Sequence, residues 1–264
     1  MTTRTQLAFS IISICIPILL QSQNSKFTTL SVEQIYQLEG AVTNPGMVPF
    51  LNSSSIQIQF QNQYLLKELT YKGVNGCHKW KENYFPIGIS HFGYSQFGIL
   101  DFRIGYSRLW GGKIAFNLNF VYLFNHIAEN PNRNGITFEF SGWGKINSKW
   151  GMGFKIFNPA KLNFLESKES LIPIQFWVMG SYKINESLFL FGHFVKYAPG
   201  NSNFQLSFLM QKKETTIEAQ FSLQSIGISY IFSFYNFTFR CHGNYHFLLG
   251  SSSQLDMYHL FQSR

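Results

Sequence analysis

The sequence predicts an all-β fold: a transmembrane antiparallel β-barrel of about fourteen strands behind an N-terminal signal peptide. Three observations carry that expectation. Apolar and polar residues alternate with a period of two over most of the chain. Most alternating segments run about 9–12 residues, the length a tilted strand needs to cross a bilayer. The composition combines 18% aromatics, including 29 Phe and 13 Tyr, with 13% charged residues and a mean hydropathy of −0.04. So few charges and so many aromatics argue against a disordered chain. A hydropathy near zero argues against a helical membrane bundle and suits strands with lipid on one side and water on the other.

Residues 1–23 read as the signal peptide. Arg4 gives a short basic start, Leu7 to Leu20 form an apolar run, and polar Gln21-Ser22-Gln23 follows. The run is too short to span a membrane as a helix. Ile14 precedes Cys15 where a lipid-attachment motif needs a small residue, so Cys15 is read as part of the apolar run. Residues 24–53 show little strand pattern but contain Asn44-Pro45-Gly46 and apolar Met47, Val48, Pro49 and Phe50. This segment is expected to fold into the barrel mouth and narrow the pore, because non-strand backbone at membrane depth must be covered by protein.

Residues 54–264 are read as the barrel. Period-two segments fall at 54–64, 68–79, 84–94, 98–108, 112–126, 135–145, 148–157, 173–184, 186–197, 202–211, 214–222, 225–234, 236–247 and 254–261. In the fifth, Ile114, Phe116, Leu118, Phe120 and Phe124 are assigned to lipid, and Lys113, Asn117 and Asn119 to the lumen. Turn signals such as Trp110-Gly111-Gly112, Asn147-Ser148 and Asn185-Glu186 separate segments, with longer polar connections at 128–134 and 158–172. Residues 219–239 carry no charge and could pass for a spanning helix. The alternation from Ile226 to Phe234 would put apolar residues on both sides of that helix, so two strands with a turn near Gln224-Ser225 are expected. A secreted β-sandwich is the rival architecture. Large aromatics on nearly every strand exceed what one sandwich core needs. The segment Leu255 to Phe261, a strand ending in an aromatic, also resembles the C-terminal strand of outer-membrane barrels.

The inward polar face collects Asp101, Arg103, Lys113, Asn117, Asn119, Glu139, Lys155, Glu218, Arg240, His242 and His246. Charges of both signs taken out of bulk water are expected to pair with one another. Chemistry beyond that is thin. No spacing of Ser, His and the two aspartates, Asp101 and Asp256, singles out a catalytic triad, so no enzyme is expected. On a strand His242 and His246 lie about 13 Å apart and cannot both ligate one ion, so no metal or other cofactor is expected. Cys77 and Cys241 lie on separate strand segments and are not expected to pair. The chain carries 21 Lys and Arg against 13 Asp and Glu, but no more than two basic residues are adjacent, Lys212 and Lys213. That scatter argues against nucleic acid and leaves attraction to anionic lipid head groups as a secondary consequence.

The segments Leu65-Leu66-Lys67-Glu68-Leu69, His91-Phe92-Gly93-Tyr94-Ser95 and Ile156-Phe157-Asn158-Pro159 resemble those of FadL-like and PorV-type outer-membrane proteins of Bacteroidota. The resemblance covers most of residues 40–261. It implies an outer-membrane location, a fourteen-stranded barrel and an N-terminal segment tucked into the lumen. It also implies one of two roles: a channel for hydrophobic solutes, or a partner subunit of secretion machinery, the type IX system above all. Such proteins carry a Gly-rich stretch before an Asn-Pro-Ala-Gly-like motif. Here that motif is reduced to Gly40-Ala-Val-Thr-Asn44-Pro45-Gly46-Met47, the expected lumen plug. The reduction favours the accessory or scaffold subunit of a secretion or assembly complex, with the channel second and an outer-membrane hydrolase third. Outer-membrane lipid, protein partners and a hydrophobic ligand are the partners this implies. Leu162, Phe164 and Leu165, in the longest connection, are the expected protein contacts.

Overall fold

A strand at membrane depth has no water to satisfy its backbone, so the ladder must close on itself. A computed structural model describes residues 30–161, 172–198, 200–234 and 237–261, and in it the ladder does close. Fourteen antiparallel strands each pair with their neighbours in sequence, and β1 pairs with β14 from Ser54↔Phe261 to Asn62↔Ser253. The strands are β1 (Ser54–Asn62), β2 (Thr70–Trp80), β3 (Asn83–Gly93), β4 (Phe97–Trp110), β5 (Ile114–Ile127), β6 (Arg133–Lys145) and β7 (Trp150–Phe157). They continue with β8 (Ile174–Asn185), β9 (Leu188–Ala198), β10 (Ser202–Lys212), β11 (Thr215–Ser222), β12 (Ser225–Phe234), β13 (Phe237–His246) and β14 (Gly250–Phe261). Every segment read from the alternation is a strand. The described residues of 219–239 belong to β11, β12, β13 and the turn between β11 and β12 rather than to a helix. β14 begins earlier than its apolar pattern, because Ser251, Ser252 and Ser253 pair with Tyr245, Asn244 and Gly243 of β13.

Side chains sort by face as the period requires. On β5, Ile114, Phe116, Leu118 and Phe120 are exposed on the outer wall, while Ala115, Asn117, Asn119 and Val121 are buried within. Ile56, Ile58 and Phe60 on β1 and Phe204, Phe208 and Met210 on β10 continue the same outer belt. An apolar belt running round a closed barrel is the surface of a protein embedded in lipid. Aromatic pairs, Trp150 with Tyr182 and Trp110 with Phe116, brace its edge at one end. Connections at that end are tight turns such as Lys81–Glu82 and Lys213–Glu214. At the opposite end they include the longer 63–69 and 158–173. We call these the turn end and the loop end.

Two sequence expectations fall beyond the described residues: the signal peptide over 1–23, and Leu162, Phe164 and Leu165 in the 158–173 loop. The described part of that loop leaves the barrel through Asn158. Its side-chain Nδ2 donates to Ile172 O at 2.7 Å and its Oδ1 accepts from Thr137 at 2.8 Å. Cys77 on β2 and Cys241 on β13 stand three strands apart round the wall, as their separation in sequence suggests.

The facing assignment has a direct test. Leu118→Arg should cost about 2–4 kcal/mol of barrel stability in lipid vesicles, whereas Ile146→Arg, in an exposed turn, should cost no more than about 1 kcal/mol. Equal losses in denaturant unfolding would contradict the assignment.

Candidate functional site in the barrel lumen

The lumen holds residues 30–53, folded as α1 (Val32–Thr43) and a 3₁₀ helix (Pro45–Leu51). The helix starts at a reciprocal cap. Ser31 Oγ accepts from the Gln34 amide at 3.2 Å, and Gln34 Oε1 accepts from the Ser31 amide at 2.9 Å. Val32, Ile35 and Tyr36 recur at helical spacing and pack with Met47 against Trp143, Met179, Phe189, Leu209 and Ile231 of the wall. The turn-end half of the lumen is therefore an apolar core. Polar contacts fix where the segment sits. Asn44, fully buried, donates to Gly142 O at 3.1 Å and accepts from the Gly46 amide at 2.9 Å. The Gly46 amide also donates to Ser141 Oγ at 3.0 Å. Gly46 must lack a side chain, because a Cβ there would lie 2.9 Å from Gly142 Cα. Lys145 holds Glu33 at 2.7 Å nearer the turn end.

Two charged clusters line the wall around this plug. In the first, Arg240 of β13 lies 2.8 Å from Glu218, 3.6 Å from Asp256 and 3.1 Å from Glu39 of the plug helix. Ser229 joins Glu218 at 2.8 Å and His242 at 2.9 Å. One guanidinium thus faces three carboxylates, and it cannot neutralise them all. Burial pushes Glu39 up to about 8; Arg240 opposes that shift, and Glu218 and Asp256 reinforce it. The second cluster is balanced. Asp101 and Arg103 pair through two bonds of 2.7 Å. Glu139 lies 3.8 Å from both Arg103 and Lys155 and accepts from Asn119 at 2.9 Å. Lys155 also covers the Trp177 ring at 4.5 Å.

Between the plug and the wall at β1–β3 lies a cavity of about 80 Å³. Leu38, Ala41, Val42 and Val48 of the plug line one side. Gly76, Pro86 and Gly88 line the other, together with Ile56 and Ile87. Ile56 and Ile87 are 36% and 49% exposed and belong to the outer belt, while Gln57, Asn75, Arg103 and Asn119 add polar groups to the lining. The wall is thin there for covalent reasons. Gly76 stands directly between Ile56 and Ile87 in the cross-strand row and offers no side chain. Pro86 has no N–H to donate, and the β3–β4 register passes from Tyr84↔Ser107 to Ile87↔Ile104 without a pair at Phe85 or Pro86.

The inward residues read from the sequence divide cleanly. Asp101, Arg103, Asn119, Glu139 and Lys155 meet in one cluster, and Glu218, Arg240 and His242 in the other. Asn117 is buried beside them and donates to Tyr106 O at 3.3 Å. Asn44, Pro45, Gly46 and Met47 are buried in the lumen. Lys113 is a correction: it is exposed in the turn Gly111–Lys113, because β5 starts one residue later. His246 is also moved, to the loop-end rim. There its Nδ1 accepts from the Leu248 and Leu249 amides, both at 3.2 Å, to close the last loop. Sequence reasoning missed Glu39, Asp256 and Tyr36, and the helix that carries two of them. The Ser31-Val-Glu-Gln34 box was the signal for that helix.

A wide closed barrel with a helical segment buried in its lumen is the class that fold and site define. Among solved structures the chain is similar to the Pseudomonas putida toluene transporter TodX, with TM-score 0.62 and 7% identity over 83% of this chain and 91% of that chain. A TodX deltaS2 mutant gives 0.68 and 8%, over 84% and 94%. The CymD monoaromatic hydrocarbon channel gives 0.58 and 8%, over 85% and 93%. At such identities the likeness is one of fold. By their own descriptions these neighbours are a transporter and channels rather than enzymes. No family model and no curated protein matches the chain.

Two outcomes follow for the plug. Asn44→Ala removes the anchoring bond to Gly142 O and the internal bond to the Gly46 amide, and should weaken plug docking by about 1–3 kcal/mol. Hydrogen exchange over residues 32–51 should accelerate while heat-modifiable barrel mobility stays unchanged. Because Glu39 binds its proton more tightly when docked, docking should be strongest below about pH 4.5 and weaken as pH rises toward 8. Exchange in the plug should follow that trend, and Glu39→Gln should flatten it.

Proposed function

We propose that the chain is an outer-membrane channel for small hydrophobic molecules, with the plug closing the lumen to water and the thin wall at β2–β3 serving as the exit into lipid. The observation that carries this reading is the cavity walled by plug residues on one side and by outward-facing Ile56 and Ile87 on the other. A solute there meets a mainly apolar lining, in which Gln57, Asn75, Arg103 and Asn119 supply the polar groups. At about 80 Å³ the cavity is a resting state, smaller than the few hundred Å³ of a typical ligand pocket. Passage therefore requires the plug or β3 to yield, and β3 is the strand whose ladder Pro86 interrupts. The folds of TodX and CymD support a hydrophobic solute over the accessory-subunit role favoured by the sequence motif.

One observation favours that accessory role as a second reading. At the loop end Leu223 and Leu248 are 77% and 89% exposed, with Phe247 and Leu249 beside them. Apolar side chains at a water-facing rim are suited to contact with a protein partner. This rim would then do the work first assigned to Leu162, Phe164 and Leu165, and co-purification of a stoichiometric partner lost in Leu223→Ser/Leu248→Ser would favour it over the channel.

The channel reading is tested at Gly76. A Cβ there would meet Ser55 O at 3.6 Å and Ile87 Cγ2 at 3.7 Å, ordinary contacts, so the backbone admits a side chain at Gly76 and Gly76→Leu is placed to cover the exit. Intact cells expressing the chain should take up labelled toluene faster than cells lacking it. Gly76→Leu should lower that uptake severalfold with the barrel correctly assembled. Uptake independent of the chain, or undiminished in the variant, would contradict the reading.

A further inference from the structure

The outer belt ends abruptly at the loop end of β1–β3. Rows of paired residues climb the wall there: Ile56–Gly76–Ile87, then Ile58–Val74–Ile89, then Phe60–Lys72–His91. The third row brings a lysine directly opposite a histidine on the face that meets lipid. A lysine and an imidazole so placed both present hydrogen-bond donors to one acceptor and leave the lysine's charge without a cross-strand partner. Lys67, in the connection above, adds a third basic group to the same groove, about 600 Å³ in volume and bordered by Phe60, Tyr94 and Ser95. Among the described residues, no carboxylate lies within 4.0 Å of Lys67, Lys72 or His91. At the turn end Arg108 has Glu82 at 3.6 Å and Lys183 has Glu186 at 2.8 Å, while Lys113, Lys149 and Lys213 sit singly in separate exposed turns rather than together in a groove.

We propose that this groove binds the phosphate of a lipid in the leaflet at the loop end, with the acyl chains lying down over Val74, Ile89 and Ile87. The charge argues for an anion, since cations at the edge of an apolar belt find their natural counter-ions in lipid head groups. The position argues for a lipid rather than a free solute, because the row immediately below is exposed apolar surface: Val74 is 41% and Ile89 48% exposed. Tyr94 and Ser95 border the groove, with the Tyr94 hydroxyl donating to Gln96 Oε1 at 3.4 Å. The inference does not depend on whether the barrel conducts a solute.

The test uses the intact chain, released from vesicles of mixed phosphatidylglycerol and phosphatidylcholine and weighed by native mass spectrometry. Wild type should retain phosphatidylglycerol over phosphatidylcholine by roughly tenfold. Lys67→Gln/Lys72→Gln/His91→Gln should lose that preference while keeping heat-modifiable mobility. Lys72→Arg, tested as a single change, should keep the preference. Lys113→Gln/Lys149→Gln/Lys213→Gln, which removes exposed charge at the turn end, should keep it too. Equal retention of both lipids by wild type, or an unchanged preference in the groove variant, would overturn the proposal. Displacement of the bound lipid by inorganic phosphate at stoichiometric concentration would also overturn it, by marking a site for free anions.

Discussion

Closure of the β1–β14 ladder is the constraint from which the rest follows. Every strand must give its amides and carbonyls to a neighbour, so the chain needs enough strands to return to its start, and fourteen achieve it. Eight strands make a barrel whose own side chains fill the interior. Fourteen enclose more space than the wall residues fill, and that space must be flooded or occupied. Here α1 and the 3₁₀ helix occupy it. The inner wall is adapted to them: Met179, Phe189, Leu209 and Ile231 turn inward to pack on the helix at positions where a water-filled pore would carry polar groups.

The polar contacts add position to that packing. Apolar burial is tolerant of sliding and rotation, whereas the bonds from Asn44 to Gly142 O and from Gly46 to Ser141 admit one seat. The Glu39–Arg240 contact differs in kind. It adds a third carboxylate to a wall cluster that already holds two, so it couples plug docking to a proton. The Asp101–Arg103–Glu139–Lys155 cluster is balanced within the wall and needs nothing from the plug. Beyond the apolar packing, plug and wall thus meet through a fixed hydrogen-bonded seat and a proton-linked contact, with Lys145–Glu33 and the Gln211 bonds to the start of the helix nearer the turn end.

The strands were legible in the sequence because lipid on one side and a covered lumen on the other impose a strict period of two. The plug was legible as a place, through Asn44-Pro45-Gly46, but not as a helix. Its Ser31–Gln34 cap is a local signal, while the apolar partners of Ile35 and Tyr36 lie on strands far along the chain. The inward wall carries apolar Leu209 and Ile231 among polar neighbours, and the helix they pack on explains them. Lys113 was assigned inward by parity alone, which fails at a strand end where the chain turns away. The role of Glu39 could not be read at all, since it depends on residues from β11, β13 and β14 converging on one arginine.

Single-channel conductance in planar bilayers tests the central claim, that the plug seals a lumen otherwise wide enough to conduct. The intact chain should hold a closed baseline, and a chain lacking residues 30–51 should insert with large, stable open steps. Equal large conductance from both would mean that the segment does not seal the barrel, and would contradict the account.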